Sequence, residues 1–165
     1  MNNIFMLEEE QDEIPQTYEE KVEQAQETLR LASEISRDYY NEPLIITYSG
    51  GKDSDVMLHI AESCLANDEF EVLNSHTTVD APQTVKHIEK VFRRLNEKGI
   101  QTRYSNRYPV KHSMWSLIVD KQMPPTRLMR YCCAVLKESA TPNRVCAVGV
   151  RGDESQNRRG RSLFK

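Results

Sequence analysis

The 165-residue sequence predicts one α/β domain built on a parallel, right-handed sheet. Three observations predict it. Short apolar runs suited to buried strands alternate with longer segments whose apolar residues recur at helical spacing. A glycine turn joins the first such run to the helix behind it. Polar motifs at residues 49–54, 77–80 and 151–159 each stand just beyond a predicted strand. Open parallel sheets bind their ligands at those carboxyl ends.

Residues 1–15, with the run Glu8-Glu9-Glu10-Gln11-Asp12-Glu13, are expected to be a disordered acidic segment. Residues 16–42 form an N-terminal amphipathic helix from about residue 17 to residue 40. Its stripe of Val22, Ala25, Leu29, Ala32, Ile35 and Tyr39 is read as packing on the sheet in preference to a dimer seam, and Asn41-Glu42-Pro43 ends it. Leu44-Ile45-Ile46-Thr47-Tyr48 is the first strand. Val56, Met57, Ile60, Ala61, Cys64 and Leu65 give the following helix one apolar face. Phe70-Glu71-Val72-Leu73-Asn74 is the second strand.

Asp80 or Ala81 then opens a helix, with Pro82 suited to its first turn. Val85, Ile88, Phe92 and Leu95 are its core face and Gly99 its end. Residues 100–104 make a short third strand, and Met114, Trp115, Leu117, Ile118 and Val119 a brief helix before Pro124-Pro125. Thr126 is expected to cap a helix running to about residue 140. Val145-Cys146-Ala147-Val148-Gly149-Val150 is the fourth strand.

The net charge of −3 conceals an asymmetry. Residues 1–42 carry 12 Asp and Glu against 3 Lys and Arg, a balance of −9. Residues 43–165 carry 13 against 19, a balance of +6, which suits a polyanionic ligand. No apolar stretch is long enough for a membrane span, and the acidic N-terminus is unlike a signal peptide. Four cysteines, two of them adjacent, do not form a secreted disulfide framework. A cytoplasmic protein with no membrane partner is expected.

Ser49-Gly50-Gly51-Lys52-Asp53-Ser54 is where the chemistry concentrates. A strand, a glycine turn and a helix start together build an anion pocket. Glycines let the backbone approach an oxyanion, and the first N–H groups of the helix point at it. Lys52 adds a point charge, Ser49 and Ser54 add hydroxyls, and Asp53 could hold Mg²⁺ against a phosphate. The spacing is not that of the Walker loop. Farther along, Arg127, Arg130 and Lys137 would share one face of the helix from Thr126, three cations without an intervening acid.

The six-residue motif resembles the PP-loop of the adenine-nucleotide alpha-hydrolase superfamily, which includes ATP pyrophosphatases and phosphoadenosine-phosphosulfate (PAPS) reductases. Three further segments are similar to PAPS-reductase-family proteins, particularly their phage-borne and DNA-modification relatives. They are Thr77-Thr78-Val79-Asp80-Ala81-Pro82, then Pro124-Pro125-Thr126-Arg127-Leu128-Met129-Arg130-Tyr131-Cys132-Cys133-Ala134-Val135-Leu136-Lys137, then Gly149-Val150-Arg151-Gly152-Asp153-Glu154-Ser155-Gln156-Asn157-Arg158. The resemblance spans about residues 44–159. It implies a Rossmann-like sheet of order 3-2-1-4, with residues 43–165 as an adenine-nucleotide-binding domain. By the same resemblance Ser49, Gly50, Gly51, Lys52, Asp53 and Ser54 would grip the sulfate or phosphate of PAPS, adenosine phosphosulfate (APS) or ATP. Arg151 and Arg158 would clamp phosphates, with Arg127, Arg130 and Lys137 as further anion contacts. Thr78 would touch the nucleotide. Asp80 reads as a helix cap, and Glu154 as a surface partner of Arg158.

Cysteine chemistry departs from that pattern. Cys64 and Cys146 are expected to be packed thiols. Cys132-Cys133 matches the paired cysteines that ligate a 4Fe-4S cluster in APS reductases, but a cluster needs two more thiolates and the sequence has no C-x-x-C. Cys132, on the face of Leu128 and Val135, is expected to be the more buried of the two, and Cys133 the more reactive. The nucleophilic cysteine of the family, beside Gly and His, has no counterpart after Cys146. A family sheet also continues past the fourth strand. The chain is therefore expected to be a fragment, a truncated gene or a minimal nucleotide-binding half, with a fifth strand missing.

Three functions compete on these grounds. The first is sulfonucleotide reduction, complete only with a tail or a partner such as a thioredoxin-like reductant. The second is an ATP pyrophosphatase that activates an acceptor, as in DNA phosphorothioation with a DNA-modification partner. The third is a non-catalytic nucleotide-binding module, and a homodimer is compatible with each.

Overall fold

The computed structural model describes residues 17–107, 110–141 and 143–149. Helix α1 (Tyr18–Tyr40) is followed by β1 (Leu44–Thr47), α2 (Lys52–Cys64), β2 (Phe70–Ser75), α3 (Pro82–Glu97) and β3 (Gln101–Ser105). Then come α4 (Met114–Lys121), α5 (Tyr131–Leu136), a single 3₁₀ turn (Glu138–Ala140) and β4 (Cys146–Ala147). The four strands are parallel and lie in the order β3-β2-β1-β4. The expected α/β class and 3-2-1-4 order are both found.

Helix α1 begins with a reciprocal cap. Thr17 Oγ1 accepts from the Glu20 N–H at 3.2 Å, and Glu20 Oε2 accepts from the Thr17 N–H at 2.8 Å. Asn41, at φ 52°, ends the helix in the left-handed region. Its buried residues are Leu29, Ala32, Ser33 and Ser36, so the packed stripe is narrower than the sequence pattern, and Tyr39 stands exposed. Gln26 Nε2 donates to Ser63 Oγ of α2 at 3.1 Å, and Arg37 pairs with Asp68 and Glu69. The stripe is thus spent on this chain's own α2 and sheet.

Leu29 and Ala32 join Leu58, Ala61 and Leu65, then Ile88, Phe92 and Leu95, over Leu44, Ile46, Tyr48, Phe70, Val72 and Ile100. Strand alternation sends Ile45 and Leu73, also buried, to the other face. Glu71 shares that face at 4% exposure, its Oε1 3.2 Å from an Arg103 nitrogen and 3.3 Å from an Arg144 nitrogen. Arg144 also donates to the Pro43 carbonyl at 2.8 Å, which holds the approach to β4 beside the start of β1.

Four expectations are corrected. Val56 is 59% exposed, and α2 instead buries Ser54, Leu58 and Ala61. Val56 lies two positions from both Ser54 and Leu58 and is turned about 160° from that stripe. The fourth strand is confined to Cys146 and Ala147 among the described residues, and Cys146 is exposed on this edge strand of the described sheet. Asp80 does not cap α3: its Oδ2 accepts from the Thr77 N–H at 3.0 Å, closing the turn at residues 77–80, and Ala81 is the N-cap. The long helix from Thr126 is absent as well, as described next.

Candidate anion-binding site

The turn after β1 is shaped by its two glycines and Ser54. Gly50 has φ +74°, a backbone state that glycine adopts without strain. A Cβ at Gly50 would lie 2.9 Å from Ile88 Cγ1 and 3.2 Å from Thr84 Cγ2, so α3 packs directly on the turn. Gly51 is the N-cap of α2, and its carbonyl accepts from the Asp55 N–H at 3.0 Å. Ser54 Oγ donates to Gly51 O at 2.7 Å and accepts from the Gly51 N–H at 3.1 Å and from Ser49 Oγ at 3.2 Å. One proton and two lone pairs are all a hydroxyl has. Ser54 therefore spends its capacity on holding the loop's shape.

The first N–H groups of α2, from Lys52 onward, have no acceptor one turn earlier in the helix. They lie where β1 and β4 part company: β2 and β3 stack to one side of β1, and β4 to the other. This reversal is the position at which doubly wound sheets open a crevice. The chain leaving β4 comes close to it, since a Cβ at Gly149 would lie 3.3 Å from Asp53 O. Lys52 is exposed on this helix start, and Asp53 is half-buried. A single carboxylate such as Asp53 suits Mg²⁺ only when substrate phosphates supply further oxygens.

Thr78, with φ 68°, uses its Oγ1 to accept from the Met114 N–H at 2.9 Å, which fastens the start of α4 to the end of β2. Arg127, Arg130 and Lys137 do not share a helix face. Residues 126–129 close a turn, with Thr126 Oγ1 accepting from the Met129 N–H at 3.0 Å and the Thr126 N–H donating to Met129 O. Arg130 is the N-cap of the six-residue α5, and Lys137 lies past its end. A helix keeps its length in water mainly by packing an apolar face, and Leu128, meant for that face, is 95% exposed. Tyr131 Oη instead donates to Met123 O at 2.6 Å and folds the segment back. Arg151, Glu154 and Arg158 lie outside the described residues, as does the expected disorder of residues 1–15.

Cys132 and Cys133 are both half-buried, so burial does not separate them as expected. Arg130 does reach Cys133, with Nη2 3.5 Å from Sγ. Among the described residues no three His, Cys, Asp or Glu side chains gather to hold a metal. The pair thus lacks, in the described structure, the further ligands of a 4Fe-4S cluster. Cys64 packs against the core, and burial pushes its thiol pKa up.

One constellation escaped the sequence reading. Tyr48, buried beneath the loop, donates from Oη to Asp55 Oδ1 at 2.5 Å and lies 3.1 Å from His87 Nε2. Burial, and then the Asp55 carboxylate, push the Tyr48 hydroxyl well above the ordinary phenol range. Asn74 Nδ2 donates to the Tyr48 carbonyl at 2.8 Å, and the Tyr48 N–H donates to Leu73 O at 2.8 Å. Asp55, polar and next to the motif, was the available signal; His87 had none.

Comparison with known proteins fits this architecture. The phosphoadenosine phosphosulfate reductase domain family matches residues 43–165. An uncharacterized protein of Methanocaldococcus jannaschii is 29% identical over 126 residues, covering 71% of this chain and 24% of that protein. This chain thus spans about a quarter of the length of that curated relative. Among solved structures, the NH3-dependent NAD synthetase of Campylobacter jejuni, in complex with the nitrate ion, superposes with a TM-score of 0.52 at 16% identity. The match covers 81% of this chain and 58% of the synthetase, and at that identity it speaks for the fold alone. No helix among the described residues is long and apolar enough to cross a membrane.

Proposed function

The chain belongs to the phosphoadenosine phosphosulfate reductase domain family, and from that premise we propose that residues 49–54 hold the sulfate or phosphate end of an adenine nucleotide. The observation that carries this reading is the placement of the glycine turn and the α2 start at the β1/β4 reversal, with the Gly149 backbone against Asp53. In this proposal the α2 N–H groups and Lys52 receive the anion, and Asp53 carries Mg²⁺ where the ligand is a polyphosphate. Ser49, Gly50, Gly51 and Ser54 shape the receptor. Arg151 and Arg158 belong to it as phosphate clamps, Thr78 as a nucleotide contact, and Arg127, Arg130 and Lys137 as outer cations.

The reaction proposed for the complete enzyme is sulfonucleotide reduction. A thiolate attacks the sulfate sulfur, the bond to the phosphate oxygen breaks, and adenosine 3′,5′-bisphosphate leaves. A dithiol reductant of the thioredoxin type would then release the sulfite. The loop's part is to neutralise the charge that gathers on the leaving phosphate.

Titration calorimetry with PAPS, APS and ATP on wild type and Lys52→Ala tests the binding site. Loss of one ammonium contact should weaken the bound nucleotide by about 1.5–3 kcal/mol. Equal affinity in the two proteins would remove the loop from the site. Conversion of ATP to AMP and pyrophosphate would instead assign the ATP pyrophosphatase chemistry, for which a DNA-modification partner is the acceptor system proposed. Binding without turnover, with a thiol reductant present, would assign a non-catalytic module.

A further inference from the structure

We infer that Tyr48, Asp55 and His87 are positioning residues that staple the two ends of the anion loop together and so preorganise it for its ligand. This inference rests on the nucleotide reading above. Tyr48 is the residue immediately before the 49–54 loop and Asp55 the residue immediately after it. Their side chains meet at 2.5 Å, which closes a ring around the six residues between them. Two backbone-directed bonds fix the near end of the ring to β2, from Asn74 Nδ2 to Tyr48 O and from Tyr48 N to Leu73 O. The far end is the first turn of α2, where the Asp55 N–H bonds Gly51 O.

Proton counting defines the role of His87. A carboxylate only accepts, and a phenol has one proton to give. With that proton on Asp55 Oδ1, the contact between Tyr48 Oη and His87 Nε2 requires a proton on Nε2. The same Nε2 is 3.6 Å from Asp55 Oδ1, so its N–H points between the phenol and the carboxylate. His87 therefore ties the staple to α3, whose Ile88 already presses on Gly50. The ring of Tyr48 is seated against Phe92, with centroids 6.2 Å apart, so removal of its hydroxyl leaves the packing in place.

A receptor whose loop is already closed loses less conformational freedom when the anion arrives. Tyr48→Phe should therefore weaken PAPS and ATP binding about three- to tenfold, the worth of one hydrogen bond, while circular dichroism stays unchanged. His87→Phe should do the same, and His87→Gln, which keeps an N–H donor there, should return affinity to within about twofold of wild type. Nitrogen-15 NMR of the free wild type should find His87 carrying its proton on Nε2. Were Tyr48→Phe unfolded, the half-exposed His87 pair would still decide the matter. Equal affinity in wild type, Tyr48→Phe and His87→Phe, or an Nδ1–H tautomer at His87, overturns the staple and leaves the nucleotide reading standing. A wild type that binds neither nucleotide overturns both.

Discussion

Gly50→Ala separates the two glycines of the loop by mechanism. Gly50 sits at φ +74°, where an L-residue costs about 1–2 kcal/mol. Its new methyl would also stand 2.9 Å from Ile88 Cγ1, which belongs to the closed core under α3 and has little room to retreat. Forcing a carbon into such packing costs about 1–3 kcal/mol more. The expected loss is about 2–5 kcal/mol, or roughly 5–15 °C in Tm for a domain of this size. Gly51→Ala is the internal control. Gly51 has an extended backbone (φ −97°), and its added Cβ would meet only Ser49 Oγ, at 3.5 Å. It should lose under about 1 kcal/mol, the difference between Gly and Ala at an N-cap. Urea unfolding of both variants, with equal slopes, measures the contrast. Equal midpoints for the two would refute the claim that α3 packs on the loop at Gly50.

Three further outcomes follow from particular residues. Tyr48 has its hydroxyl pKa raised in the folded state, so its contribution is complete below the unfolded value of about 10 and is lost as pH rises beyond it. Stability measured between pH 8 and 11.5 should fall in the upper part of that range, less steeply in Tyr48→Phe, and a phenol that titrates normally in the native protein would contradict this. Glu71→Ala should lose about 2–4 kcal/mol, because Arg103 and Arg144 share that carboxylate, with a discount for the half-exposed Arg103. Chemical unfolding checks it, and a neutral result would mean that the ion cluster does not hold β4. Cys64 should alkylate more slowly than the exposed Cys146 at neutral pH, and its rate should keep climbing above the ordinary thiol range. Peptide mapping after timed iodoacetamide labelling reads both rates.

Much of the frame was legible in the letters. Leu44, Ile45 and Ile46 form a run that only a buried strand explains, and Gly50-Gly51 breaks it where a helix begins. The apolar spacing and Asn41-Glu42-Pro43 marked the extent of α1. The segment from Thr126 misled because its spacing was helical while its neighbours gave it no face to bury, and the local Thr126–Met129 bonds won. Val56 and Cys146 failed for a related reason: an apolar residue joins a core only where another element arrives to cover it. At the candidate site, the glycine turn between β1 and α2 was readable from six consecutive residues. Tyr48, Asp55, His87 and Asn74 were not readable as a set, since they come from four separate elements or joints.

The succession of strands and helices and the glycine turn at residues 49–54 were readable in advance, because each depends on residues within a turn or two of one another. Long-range packing alone sets which helix presses on Gly50, turns Ser54 inward, fastens α4 to Thr78 and closes the ring of Tyr48 and Asp55 with His87 beside it. Those outcomes depend on crossings that bring α2 and α3 into one core over the sheet and return the chain to β1 with β4. Local propensity carries no record of a partner 39 or 100 residues away, as His87 is from Tyr48 and Ala147 from Thr47, so such contacts exist only once the sheet has assembled.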